Sequence, residues 1–162
     1  MEPKVPKNIF SPQIKLEDID VVEIARQITL IDFSLFSQIT LGDILSKEWR
    51  EQEKIPQKIS NMIERSNSFS NWVVSSLLSI VETSERALKY LFFINLLSEL
   101  YKINNFFASF SLFSALVSTP ILRLKNTLKL IPEEQSKVFY ILFIIFYFLI
   151  HSNFFFFFLI NF

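Results

Sequence analysis

Cysteine is absent from the 162 residues, which excludes disulfides, thiolate metal sites and cysteine nucleophiles together. Histidine occurs once, at His151, so histidine-based zinc sites and a serine–histidine or cysteine–histidine pair have too few ligands or bases. Glycine also occurs once, at Gly42. A phosphate-cradling loop of the P-loop or dinucleotide type cannot be built from one glycine. So few glycines also argue against a turn-rich all-β fold and for helices. Charge of one sign is not in excess: 16 Lys+Arg balance 16 Asp+Glu. Nothing in that balance points to nucleic acid, and the basic residues do not interleave with aromatics along one face.

What the chain has in quantity is apolar mass. Hydrophobic residues make up 51%, enough for a core in a single domain of this length. Phenylalanine is abnormal at 20 residues, and ten of them follow Lys137, after which no Asp, Glu, Lys or Arg occurs.

Residues 1–17 hold three of the six prolines (Pro3, Pro6 and Pro12) and no apolar run, which predicts an extended lead-in rather than a secretory signal. From Asp18 the pattern turns helical. Val21, Ile24, Ile28 and Ile31 recur at helical steps, and a second short helix is expected through Leu35 and Ile39. A third is expected from Gly42 toward Trp49. The charged stretch Lys47–Lys58, with Pro56, predicts a solvated connection. The next helix is expected from Gln57 to about Val81, with a bend at Ser66–Asn71, where short polar side chains compete for backbone hydrogen bonds. Thr83 and Ser84 are N-cap candidates for a helix running to about Tyr101. That helix is apolar nearly all round and so belongs at a bundle centre. Asn104 and Asn105 stop it. Another helix follows from Phe106 to about Val117, then a turn or two through Leu128, then a fresh start at Pro132. The fold class is therefore all-α, a helical bundle.

The tail, residues 138–162, admits three readings. Its 25 uncharged residues are long enough to cross a bilayer, and each Leu, Ile, Phe or Val contributes roughly −0.3 to −0.6 kcal/mol to insertion. The five consecutive phenylalanines, Phe154–Phe158, also resemble the translation of A/T-rich non-coding DNA. A core helix is the third reading. In water the stretch is an aggregation hazard.

Covalent chemistry finds no foothold. The carboxylate pairs Asp18/Asp20, Glu51/Glu53 and Glu133/Glu134 lie among other charges and read as solvated faces. His151 has no acidic neighbour. Trp49 and Trp72 read as packing residues. No cofactor and no metal are expected, and a protein-binding surface is the default role.

Four blocks, in order, carry a resemblance. The segment 23–36 (EIARQITLIDFSLF) resembles the opening helix of the Ras guanine-nucleotide exchange factor (RasGEF, CDC25-homology) catalytic domain. The segment 44–49 (ILSKEW) is similar to that family's short leucine-rich stretch, and 61–73 (NMIERSNSFSNWV) resembles its second block. The stretch 103–106 (INNF) followed by 118–125 (STPILRLK) is similar to its third. The resemblance covers residues 18–137. It implies an all-helical bowl that releases GDP from a Ras-family small GTPase without acid, base or nucleophile, because the exchanger binds the nucleotide-free state preferentially.

Carried over residue by residue, the resemblance places Met62, Asn67 and Phe110 at the GTPase contact, with Arg65 beside them. Val117 and Leu122 stand where the family has a hydrogen-bonding Asn and Tyr, and Phe107 replaces a further Asn. Each lost hydrogen bond costs roughly 1 kcal/mol or more where the partner group stays buried. Trp72, Asn104, Asn105 and Arg123 are assigned to the scaffold. The family's second half, including the hairpin that levers open the nucleotide site, is expected after Lys137, where the phenylalanine tail stands. The expectation is thus a truncated exchange factor with little or no exchange activity and exposed apolar faces, cytoplasmic, with membrane contact if the tail is an anchor. The alternatives are a membrane-anchored helical binding module without exchange and an unrelated helical interaction module.

Overall fold

The computed structural model describes residues 4–5, 9–45 and 55–151. A 3-10 turn at Leu16–Asp18 leads into eight α-helices among the described residues: α1 (Val21–Phe36), α2 (Leu41–Leu45), α3 (Gln57–Leu78), α4 (Thr83–Lys102), α5 (Phe106–Leu116), α6 (Thr119–Leu122), α7 (Lys125–Leu128) and α8 (Glu133–His151). These residues contain no strand, as the shortage of glycine led one to expect. Trp49 and most of the charged connection fall outside the described residues.

Helix α1 begins where Asp20 accepts a hydrogen bond from the Val22 N–H at 2.9 Å and so caps the first turn. It buries Ile24 and Ala25, with Val21 and Ile28 half-buried. The expected stripe ended on Ile31, but that side chain is 50% exposed and Asp32 takes the inward place. The reason is geometric: Ile24, Ile28 and Asp32 follow one another at four-residue steps along a single row. Helix α1 continues to Phe36, so the separate short helix expected through Leu35 and Ile39 does not form.

Helix α3 runs unbroken through the polar stretch where a bend was expected. Its serines are engaged elsewhere. Ser66 Oγ lies 2.6 Å from Ser111 Oγ, and Ser70 Oγ donates to the Ser111 carbonyl at 2.8 Å. A tertiary acceptor on α5 thus removes the local competition that would have kinked the helix.

The apolar helix α4 sits at the centre, touching α1, α3, α5, α7 and α8. It buries Tyr90, Phe93, Ile94, Leu96, Leu97 and Leu100. The expected serine/threonine cap is absent: Glu82 holds the N-cap position without a side-chain bond, and Thr83 is already helical. Arg86 joins this end instead. Its guanidinium donates to the carbonyls of Ile80 and Val81 and, at 3.2 Å, to Thr127 Oγ1 on α7. At its far end α4 closes with a Schellman turn, in which the Asn105 N–H reaches Leu100 O and the Asn104 N–H reaches Tyr101 O, both at 3.0 Å. That turn requires a left-handed residue, and Asn104 supplies it at φ 61°. Asparagine is among the few side-chain-bearing residues that tolerate this region.

The first part of the tail belongs to the bundle. Leu142 and Phe146 are buried in the core, and Phe146 stacks on Phe113 with ring centroids 5.0 Å apart. The other side of α8 is open: Tyr140 is 63% and Ile141 58% exposed. Among the described residues, no helix is long and apolar enough to cross a membrane. The pentaphenylalanine segment and the His151 side chain lie outside the described residues.

Candidate functional site

The residues singled out by the resemblance fall on α3, α5 and α6, three helices that pack against one another. Helix α3 presents two flanks. Toward α1 it turns Arg65, whose Nε stands 3.2 Å from Asp32 Oδ1 as an ion pair without hydrogen-bond alignment, and whose guanidinium lies 5.1 Å from the centre of the Phe69 ring. On the opposite flank lie Ile63, 46% exposed, and Asn67, also exposed, one helical turn apart. Met62 points inward and is only 8% exposed. Its side chain supports the face from below, while Ile63 offers the apolar surface.

Phe110 on α5 is half-buried against Phe146, with centroids 6.1 Å apart. Val117 is the C-cap of α5 and half-buried, and Leu122, at the end of α6, is 48% exposed. Proline starts α6 at its second position, where the missing N–H is no loss, and this brief helix carries Leu122 to the surface while Ile121 plugs the core.

The residues assigned to scaffold hold varied positions. Trp72 is 43% exposed, yet its ring stacks on Phe69 at 5.9 Å and meets Phe93 edge-on at 5.7 Å. Arg123 is exposed at the end of α6. Asn105 is buried and makes three side-chain bonds: its Oδ1 accepts from the Ala108 N–H at 3.0 Å, and its Nδ2 donates to Thr29 Oγ1 at 3.0 Å and Asp32 Oδ2 at 2.9 Å. One side chain therefore caps α5 and ties it to α1.

Sequence reasoning missed Asp32. Burial pushes its carboxyl above the ordinary aspartate value, against the opposing pull of Asn105 and Arg65. The signal was an acid four and eight residues on from Ile28 and Ile24, in the row of α1 that faces the core. The consequence for stability has a definite sign. A raised native pKa means that the folded chain holds its proton longer than the unfolded chain, so this group's contribution is lost as pH rises. Asp32→Asn, which keeps the acceptor for Asn105, is expected to flatten that part of the stability profile above pH 3.8. Urea unfolding of both proteins across acidic pH measures it. Parallel profiles for the two would show that Asp32 does not titrate in this way.

Comparison with known proteins agrees with the geometry. The RasGEF domain model matches residues 23–146, which includes the start of the apolar tail. The chain is 41% identical over 140 residues to Ras guanine nucleotide exchange factor P of Dictyostelium discoideum, covering 85% of this chain and 9% of that protein. It is 33% identical over 140 residues to exchange factor H and 34% identical over 142 residues to exchange factor J of the same organism, again across 85% of this chain. These alignments span 23% and 17% of the two relatives. The chain thus spans less than a quarter of each of these three relatives, and it belongs to the RasGEF domain family.

Proposed function

We propose that this member of the RasGEF family binds a Ras-family small GTPase through the exposed edge formed by α3, α5 and α6, and that binding speeds GDP release. The observation that supports this reading is the grouping of the family's second and third blocks on three mutually packed helices, with Ile63, Asn67 and Leu122 left facing outward. Exchange of this kind forms and breaks no covalent bond. It requires a surface that holds the nucleotide-free GTPase more tightly than the GDP-bound form, which lowers the barrier to GDP loss by that difference. The lack of a catalytic dyad, a nucleophile or a glycine loop in the sequence is consistent with that requirement.

The edge carries two apolar replacements, Val117 and Leu122, where the family pattern supplies hydrogen-bonding groups. The rate is accordingly expected to fall below what the Asn and Tyr of that pattern would give. Release of fluorescent GDP from a Ras protein is the test. The chain should raise release above the intrinsic rate and should co-purify with nucleotide-free in preference to GDP-bound Ras. Asn67→Ala should weaken the effect about tenfold, as expected of a contact residue of this class. Asn67 is exposed, so its stability should stay within about 0.5 kcal/mol. Leu122→Tyr should strengthen binding by about 1 kcal/mol through the restored hydroxyl. Release at the intrinsic rate, with no complex with empty Ras, would sink the reading.

A further inference from the structure

Between the start of α4 and the link from α6 to α7 the surface opens into a cavity of about 240 Å³. Its walls carry three cations (Arg86, Arg123 and Lys125), three neutral polar residues (Thr83, Asn126 and Thr127) and one leucine. No carboxylate lines it, although acids and bases are equal in number over the whole chain. The three cations differ in how they are held. Arg86 is fixed by its bonds to Ile80, Val81 and Thr127, so its charge is immobile at the cavity wall. Arg123 and Lys125 are exposed, and no described side chain forms a bond or ion pair with either. A tight turn, in which the Lys125 N–H meets Arg123 O at 2.9 Å, keeps the two close in the chain.

Three like charges around one concavity repel one another, and nothing described in the fold neutralises them. An anion would. The donors present suit one with several oxygens and more than one charge: the guanidinium fork of Arg123, the Lys125 ammonium, two hydroxyls and an amide, with Arg86, whose N–H groups are mostly engaged by Ile80, Val81 and Thr127, adding fixed charge. We propose that this cavity binds a phosphate group, either as free phosphate or as the headgroup of a phosphoinositide. The proposal is independent of the GTPase reading. Its one point of contact with that reading is that Arg123 directly follows Leu122, so an occupant would sit beside the proposed binding edge.

The test uses the full chain and inorganic phosphate. Phosphate titrated against sodium chloride of equal ionic strength should raise the melting temperature and give a saturable heat of binding. Arg123→Gln with Lys125→Gln should weaken that binding roughly tenfold for each cation removed. Lys125→Gln alone changes one exposed side chain and so reads the same loss even if the double variant fails to fold. Lys137→Gln, on α8, should bind as the unmodified chain does. Retention on phosphatidylinositol phosphate vesicles, competed by free phosphate and absent on phosphatidylserine vesicles, would assign the lipid source. Phosphate binding without vesicle retention would assign the free source. No binding of either probe, or equal binding by Lys125→Gln and the unmodified chain, overturns the proposal.

Discussion

Phe146→Ala should destabilise the chain by about 3–5 kcal/mol, the usual cost of emptying a buried aromatic site. Phe146 is 2% exposed and sits among Phe113, Phe110 and Tyr101, at centroid distances of 5.0, 6.1 and 6.5 Å. Those rings come from α4 and α5, so the truncation opens a void at the junction of three helices. Stability of a single domain totals only about 5–15 kcal/mol, and the alanine variant can therefore be largely unfolded at room temperature. Phe146→Leu is the gentler probe, expected at about 1–1.5 kcal/mol. Tyr140→Ala, six residues earlier on the same helix, is the control. Its ring is 63% exposed and, among the described residues, stacks on Phe143, so the loss should stay well under that of Phe146→Ala. Urea midpoints for the three variants decide the matter. If Phe146→Ala and Tyr140→Ala cost the same, α8 does not pack and the start of the tail is no part of the core.

The tail shows why composition alone left its role open. A run of Phe, Ile and Leu is equally apolar as an anchor, as a core helix or as translated non-coding DNA. What separates the first two is whether another surface fits it. Phe113, with Phe139 at 5.9 Å and Phe143 at 5.8 Å, supplies that surface, but its distance in sequence hides the fit from any local pattern. The long helices were legible because their apolar steps are local, and α4 was legible as central because it is apolar nearly all round. The bend expected in α3 failed for the converse reason. Ser66 and Ser70 carry a local tendency to bend a helix, and Ser111, more than forty residues on, satisfies both. At the candidate site the blocks were readable as blocks. Which flank of α3 faces outward was not, since that depends on a distant partner: Arg65 is held on the α1 side by Asp32, thirty-three residues away in sequence.

Asn105→Ala is the second large effect, expected at about 3 kcal/mol. The helix cap on Ala108 accounts for roughly 1 kcal/mol of it. The rest comes from Asp32, which loses a donor to a buried carboxylate, a bond of about 1.5–3 kcal/mol when the acceptor is charged. Asn105→Asp separates the two parts. An aspartate still accepts from the Ala108 N–H and caps α5 as well as asparagine does. It cannot donate, however, and it places a second carboxyl where Nδ2 now stands 2.9 Å from Asp32 Oδ2. Two carboxylates at that distance cannot both ionise without strong repulsion, so one native pKa rises further. The folded protein then binds a proton that the unfolded chain releases, and stability must fall as pH rises through the acidic and neutral range. Asn105→Asp should therefore be less stable than Asn105→Ala at neutral pH and recover on acidification, whereas the alanine variant has no second acid to protonate. Thermal melts of both variants from pH 4 to pH 7 test this with roughly 1 kcal/mol resolution, which corresponds to a shift of about 2–8 °C for domains of this general size. If the two variants keep the same order and spacing across that range, Asn105 serves α5 as a cap alone and its bond to Asp32 contributes nothing to the fold.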